Sequence, residues 1–126
     1  MTQPLYGPLV LDHYRRPRNQ RRLENATASA EGHNPMCGDR VRIELEVEGD
    51  VVRAAAFTAN ACVLCTAAAS LLTERLAGAS TARARAISDA EMIGWLDAPV
   101  TSARQKCVTL PLRALQQALA LAPGQA

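Results

Sequence analysis

The sequence predicts an α+β fold in which one β-hairpin is followed by helices. Apolar and charged residues alternate between residues 40 and 48, which is the period of a strand with one buried face. From about residue 62 the apolar positions recur every three to four residues, as on one face of a helix. No internal repeat interrupts the 126 residues. We therefore expect one domain over residues 1–126, with a loose tail from about residue 122.

The hairpin is the clearest element of the sequence. Gly49 and Asp50 predict a two-residue turn between the first strand and a return strand over residues 51–57. A turn of this length fixes which residues lie opposite one another. The predicted pairs are Val47 with Val52, Leu45 with Ala54, Ile43 with Ala56 and, at the open end, Asp39 with Asn60 and Cys37 with Cys62. Two cysteine-bearing segments should thus meet at one edge of the sheet.

Four helices complete the predicted fold. Their expected ranges are residues 6–14, 62–76, 88–96 and 108–121. Ser88, with Glu91 three residues later, is a typical N-cap for the third helix. Pro111 is expected in the first turn of the last helix, where its missing N–H costs nothing. Cys107 would then lie at the entrance of that helix.

Composition excludes several classes of protein. The net charge of +2 and the 3% aromatic content are too low to indicate nucleic-acid binding. No apolar run approaches the roughly eighteen residues of a membrane span. Residues 1–10 lack the pattern of a secretory signal, so we expect a cytoplasmic protein. Five arginines between residues 15 and 22 form either a docking surface for an acidic partner or an ordinary solvated stretch.

Three of the four cysteines share a structural context. Cys37 lies in a loop before a strand, Cys62 where a strand becomes a helix, and Cys107 at a helix entrance. Helix N-termini favour anions, so we expect lowered thiol pKa values there. If the segments converge, the thiolates form a soft-ligand site for zinc or an iron–sulfur cluster, with Asp39 as an exchangeable oxygen ligand. Burial as a small apolar residue remains the alternative for each cysteine.

Cys65 follows Cys62 in a Cys-x-x-Cys at a helix start. This spacing is typical of thiol redox proteins, and Cys65 is also a candidate spare ligand. We favour a third interpretation, packing in the core, because Cys65 continues the apolar line of Leu72 and Leu76. Both histidines, His13 and His33, are interpreted as structural.

Longer strings around the cysteines resemble the IscU/NifU-type family of iron–sulfur cluster assembly scaffolds. The most specific string is Asn-Pro-Met-Cys-Gly-Asp over residues 34–39, followed by two cysteines at suitable distances. Residues 11–14, 17–19 and 104–110 add further matches. The resemblance extends from Tyr6 to about Leu119.

The resemblance implies a SufE/NifU-like fold, a small antiparallel three-stranded sheet with helices packed against it. The third strand would come from about residues 26–33. The family site maps to Cys37, Asp39, Cys62 and Cys107, with Cys37 or Cys107 as the first persulfide acceptor. Members take sulfur from a cysteine desulfurase and pass a [2Fe–2S] or [4Fe–4S] cluster to recipient apo-proteins or cluster carriers. Members of the SufU branch hold zinc and transfer sulfur.

The sequence combines features of both branches. Lys106 stands where IscU has a histidine before the third cysteine, as in SufU. The segment that the dedicated IscU chaperone recognises is absent, so that partner is not expected. The extra stretch between the second and third cysteines of SufU is also absent. A scaffold or carrier role is therefore favoured over an enzymatic one, with a zinc-dependent sulfurtransferase as the main alternative. A Cys-x-x-Cys redox protein and a structural zinc domain are more remote alternatives.

Overall fold

The computed structural model of the protein describes residues 6–121, and the predicted tail lies outside this part of the chain. The strands are β1 (Ala28–Asn34), β2 (Asp39–Glu48) and β3 (Val51–Asn60). The helices are α1 (Pro8–Arg15), α2 (Val63–Leu76), α3 (Thr81–Ala86), α4 (Asp89–Trp95) and α5 (Gln105–Leu121), and a 3₁₀ turn, Ser102–Arg104, precedes α5. No helix within these described residues is long and apolar enough to cross a membrane.

The three strands form one antiparallel sheet in the order β1-β2-β3, as the resemblance implied. The predicted register holds next to the turn, where Val47 lies opposite Val52. Beyond it the prediction is wrong by one residue, because a β-bulge leaves Arg53 unpaired and places Leu45 opposite Ala55. The bulge keeps Val52 and Ala55 on the buried face, although an uninterrupted alternation would put them on opposite faces.

At the open end the same bulge changes the expected pairs. Ile43 lies opposite Phe57 instead of Ala56, and Asn60 lies opposite Arg40 instead of Asp39. The sheet ends at Asp39 and Asn60, so Cys37 and Cys62 stand beyond the last pairs rather than opposite one another in the ladder. Both segments still leave the sheet at the same edge, as the hairpin predicted.

Helix α2 occupies the centre of the molecule, in contact with α1, α5 and β3. Its residues 64–73 are all buried, so the prediction of a single apolar face is wrong. The run Ala67, Ala68 and Ala69 allows neighbours to approach α2 closely on several sides. Polar side chains within the buried residues 64–73 must find internal hydrogen-bond partners. Ser70 does so, because its Oγ lies 2.7 Å from His13 Nδ1 and accepts the Arg18 backbone N–H at 2.9 Å.

The last helix begins earlier than expected, at Gln105. Cys107 therefore lies inside its first turn, and Pro111 lies in the second turn rather than the first. Proline has no N–H to donate to the carbonyl of Cys107, so the helix lacks one backbone hydrogen bond there. The N-cap prediction at Ser88 is confirmed, since its Oγ accepts the Glu91 N–H at 3.1 Å. Helix α3 was not predicted.

Part of the arginine-rich segment has internal partners. Arg16 and Arg18 both pair with Asp12, at 2.9 and 2.8 Å. Arg22 pairs with Glu44, which is 3% exposed beneath the segment. These contacts fasten the segment to α1 and to the sheet. A docking role for it stays a prediction.

Candidate metal centre

The four candidate site residues come from three elements that meet at the open edge of the sheet. Cys37 lies in the turn between β1 and β2, and Asp39 is the first residue of β2. Cys62 is the N-cap of α2, and Cys107 lies in the first turn of α5. The convergence predicted from the sequence is therefore present in the fold.

A close contact between β1 and α5 brings Cys107 to this edge. Gly32 faces Leu110, and a Cβ at Gly32 would lie 3.1 Å from the Leu110 carbonyl oxygen. Glycine thus permits α5 to cross β1 at short range, one helical turn away from Cys107. A larger residue at position 32 would require Leu110 to shift, because both its side chain and its carbonyl oxygen lie within 3.1 Å of the added Cβ.

The β1–β2 turn is shaped by Asn34, the first residue of the string at residues 34–39. Its side-chain oxygen accepts the Met36 N–H at 3.1 Å, and its carbonyl accepts the Gly38 N–H at 2.8 Å. An Asn in this role is a recognisable turn signal, so the sequence did contain the information. Gly38 has φ +79°, a conformation that favours glycine, and it directs the chain from Cys37 into β2.

Three of the four candidate ligands lie within reach of one ion. The Cys37 sulfur, a carboxylate oxygen of Asp39 and the Cys107 sulfur are all within 4.8 Å of one another. The Cys62 sulfur is outside this group but adjacent to it. Its backbone N–H donates to Asp39 Oδ1 at 3.1 Å, and its sulfur accepts the Cys65 N–H at 3.5 Å. With Cys62 the set would comprise three sulfurs and one oxygen.

Asp39 provides an independent reason to expect a cation. The residue is 5% exposed, and its Oδ2 is buried with no hydrogen-bond partner among the described residues. An unpaired buried carboxylate oxygen is costly, and a bound cation would satisfy it. Three sulfurs and one oxygen also match the soft, tetrahedral preference of zinc and the thiolate preference of iron–sulfur clusters. The residues present fit such a group.

Two thiols of the site, Cys62 and Cys107, have raised pKa values. Burial, followed by the neighbouring Cys62, raises the pKa of Cys107 to about 12. Burial also raises the pKa of Cys62, although the Cys65 N–H partly opposes this. The expectation of lowered pKa values at these two helix starts is therefore wrong, because burial and the Asp39 charge outweigh the helix ends. Binding a cation must release protons from these thiols.

The site is open to solvent on one side. A cavity of about 450 Å³ is lined by Asn34, Met36, Cys37, Ser102, Ala103, Lys106 and Cys107. Cys37 is exposed, and Met36 beside it is 91% exposed. Lys106 adds a positive charge to the wall. A partner can therefore reach Cys37 from outside, whereas Cys107, which is 7% exposed, forms the back of the cavity.

The remaining candidates lie further from the opening. Cys65 is fully buried in the apolar core, as the packing interpretation predicted, directly behind Cys62. Burial and the charge of Asp39 raise the pKa of its thiol. His13 is buried between α1 and α2, and burial lowers its pKa. His33 is exposed on β1 and lines a neighbouring cavity that shares Asn34 and Lys106 with the site cavity.

Comparisons with known proteins identify relatives along almost the whole chain. The zinc-dependent sulfurtransferase SufU of Bacillus subtilis is 31% identical, with 95% of this chain and 92% of the relative aligned. That alignment spans 137 positions, more than this chain contains, so SufU has residues without a counterpart here. The scaffold protein IscU of Streptococcus pyogenes is 30% identical, with 91% and 82% aligned.

Solved structures and a family model agree with these relatives. A putative iron–sulfur scaffold for the SUF system from Fervidobacterium islandicum superposes with a TM-score of 0.77 at 22% identity, covering 90% of this chain and 96% of the other. A NifU-like N-terminal protein from Brucella abortus gives 0.78 at 21% identity, covering 95% of each. These two matches establish the fold. The model of the NifU-like N terminal domain matches residues 5–125, and the chain belongs to that family.

Proposed function

We propose that this protein, as a single domain, accepts sulfur from a cysteine desulfurase and builds or passes on an iron–sulfur cluster held by Cys37, Asp39, Cys62 and Cys107. The observation that carries the proposal is the group of two thiols and one carboxylate within 4.8 Å, with a buried carboxylate oxygen that has no hydrogen-bond partner in residues 6–121. Thiolates with one oxygen favour iron or zinc over magnesium or calcium. The relatives named as scaffolds support the same chemistry.

Cys37 is the first sulfur acceptor in this proposal. It is exposed at the cavity mouth, whereas the alternative, Cys107, is buried at the back. The Cys37 thiolate attacks the terminal sulfur of the donor's cysteine persulfide, forming a new S–S bond at Cys37. The donor's S–S bond breaks and its cysteine leaves as a thiolate, so the exchange involves no net oxidation.

Asp39 keeps the site able to release its cargo. Its Oδ1 accepts the Cys62 N–H and so holds the start of α2 against the β1–β2 turn. Its Oδ2 is free to contact iron or zinc, and a carboxylate exchanges more readily than a thiolate on these soft-to-borderline ions. Recipient apo-proteins or cluster carriers then remove the cargo through the open side of the cavity. We place these steps in the cytoplasm.

The second candidate function is zinc-dependent sulfur transfer without cluster assembly. It is favoured by the 31% identical SufU and by Lys106 in the position before Cys107. The same four residues would hold zinc, which would keep their thiols ionised. Under either candidate function, the dedicated IscU chaperone is not expected to be a partner.

Metal analysis of protein purified without air distinguishes the two functions. Iron with acid-labile sulfide and visible charge-transfer bands is expected for the scaffold. A colourless protein containing one zinc is expected for the transferase. Protein that retains neither metal after reconstitution would contradict both.

An Asp39→Ala substitution tests the carboxylate. We expect a longer-lived cluster, or weaker zinc binding if zinc is native, because the exchangeable oxygen ligand is lost. Asp50→Ala, which removes an exposed carboxylate at the opposite end of the hairpin, is the matched control. Unchanged metal content and transfer rate in Asp39→Ala would exclude the carboxylate from the site.

A further inference from the structure

Cys65 is a buried thiol that neither candidate function uses. It is fully buried one helical turn from the open edge, and its backbone N–H donates to the Cys62 sulfur at 3.5 Å. The Cys62 sulfur thus already lies over residue 65. Cys62 is the extended N-cap residue of α2, and its sulfur already lies at hydrogen-bond distance from the Cys65 backbone nitrogen, so a modest adjustment of this first turn brings the two sulfurs to bonding distance.

A second observation places this pair at a ligand site. The buried Asp39 carboxylate is adjacent to Cys62, and its charge also acts on Cys65. The Oδ2 of Asp39, which lacks a partner in the part of the chain that the structure describes, indicates that a ligand belongs beside the pair. The Cys62–Cys65 pair is therefore the inner wall of the sulfur-handling site and not an isolated core contact.

The proposed function requires a source of electrons for the accepted sulfur. Sulfur arrives as the terminal, sulfane atom of a persulfide, but cluster sulfide is two electrons more reduced. The sulfur exchange at Cys37 supplies no electrons. Two thiols supply two electrons when they form one disulfide.

We propose that Cys62 and Cys65 act as a built-in dithiol that reduces the accepted sulfur and releases it as hydrosulfide. This inference rests on the proposed sulfur acceptance. Cys62 first takes the terminal sulfur from the Cys37 persulfide, whose extra S–S bond extends about 2 Å towards its neighbours. The step precedes metal loading, because a ligated Cys62 could not carry the persulfide.

The reduction step balances in atoms and electrons. The Cys65 sulfur bonds to the Cys62 Sγ while the bond from that Sγ to the terminal sulfur breaks. The terminal sulfur leaves with both electrons of the broken bond and takes the Cys65 proton, so it departs as HS⁻. The terminal sulfur is reduced by two electrons, and the two cysteine sulfurs are oxidised to a disulfide. A dithiol reductant then restores both thiols for another turnover.

The local position of the pair favours it over other thiol pairs in the site. Closing a loop between residues three apart costs little chain entropy. Oxidation of Cys37 with Cys107 would remove both the entry thiol and a second ligand. Oxidation of Cys62 with Cys65 removes one ligand and leaves Cys37 available.

The test uses the full chain, freed of metal and reduced, treated without air with glutathione persulfide and desalted at once, so that the glutathione released by the exchange does not act as a reductant. We compare it with Cys65→Ser, a near-isosteric change, and with Cys65→Ala in case serine perturbs folding. Hydrosulfide is measured colorimetrically, and persulfides and disulfides are mapped by mass spectrometry. Circular dichroism and zinc uptake check that the variants fold.

The expected result is about one hydrosulfide per chain and a Cys62–Cys65 disulfide in the unaltered protein, a stoichiometry set by one dithiol per chain. Both variants should instead accumulate persulfide and release almost none. Equal persulfide and equal hydrosulfide in all three proteins would overturn the inference while leaving sulfur acceptance intact. A disulfide mapped to Cys37 and Cys107 would overturn it as well. Absence of persulfide and disulfide from every protein would overturn sulfur acceptance itself.

Discussion

The two ends of the β-hairpin differ in how their polar groups are satisfied. At the closed end, the Thr81 N–H donates to the Asp50 carbonyl at 2.7 Å, and Val52 exchanges two backbone hydrogen bonds with Gly78 and Ala79. At the open end, a buried oxygen of Asp39 has no partner among the described residues, and Cys37 is exposed. The two ends belong to the same pair of strands, so the difference is not one of secondary structure.

The difference separates stability from function. Satisfied backbone groups and packed apolar side chains stabilise the closed end. The unsatisfied Asp39 oxygen at the open end costs stability unless something binds there. Substitutions at the two ends should therefore have distinct consequences for stability and for metal binding.

Truncation in the core behind the closed end should produce the largest change in stability. Leu76, at the end of α2, is fully buried. Leu76→Ala removes apolar contacts and leaves a cavity, which should lower the free energy of unfolding by about 2–5 kcal/mol. Chemical denaturation of the metal-free protein measures this. The zinc affinity of the folded fraction should be unchanged, and a comparable loss of affinity would contradict the separation of the two ends.

Substitution of Cys37, the exposed thiol proposed to accept sulfur, should impair binding and leave stability almost unchanged. Cys37→Ser should abolish sulfur acceptance and lower zinc affinity by more than about tenfold, because a ligand is lost. Since Cys37 is exposed, the unfolding free energy of the metal-free chain should change by less than about 0.5 kcal/mol. Competition with a zinc chelator and denaturation of the same preparations test both halves. A destabilised variant with normal affinity would refute the assignment.

Alkaline pH should weaken the metal-free fold through the open end. Burial raises the pKa of Cys107 to about 12 and also raises that of Cys62. The unfolded chain loses these protons near the ordinary thiol pKa of about 8.5, before the folded chain does. The contribution of these two thiols to stability should be constant below that pH and fall as pH rises from there towards 12. Denaturation between pH 7 and 10.5 measures the slope, which Cys107→Ser should reduce; a stability that rises with pH would be inconsistent.

Loss of the exposed ion pair between Arg83 and Glu91 should have the smallest effect on stability and zinc affinity. Arg83 on α3 pairs with Glu91 on α4, and both are accessible to solvent. Exposed pairs contribute little, so Arg83→Ala should leave the melting temperature and zinc affinity unchanged within error. A clear shift in either would mean that the α3–α4 packing supports the site.

The sequence predicted the topology of the site better than its details. The alternation before Gly49 and the family string at residues 34–39 were enough to bring Cys37, Asp39 and Cys62 to one edge. The one-residue error in register came from the bulge at Arg53. A sign of it was present, because Val52 and Phe57 are five residues apart and cannot share a face of a regular strand.

Other features depended on tertiary packing and were not predictable from local pattern. Burial around α2 arises mainly from contacts with α1, α5 and β3. The local sequence of α2 carries no information about these contacts. The raised pKa values of Cys62 and Cys107 result from the same burial, which opposes the local effect of the helix ends. Strand β1 contains Gly32 and alternating small residues, a weak strand signal, and only the family resemblance indicated it.

The central claim, that three sulfurs and one carboxylate oxygen share one ion, is tested most directly by X-ray absorption of the protein loaded with one equivalent of zinc. The account predicts about three sulfur neighbours near 2.3 Å and one oxygen near 2.0–2.2 Å. Asp39→Ala should replace that oxygen or remove it while leaving the three sulfurs. A shell with fewer than three sulfurs, or with nitrogen ligands in their place, would contradict the account.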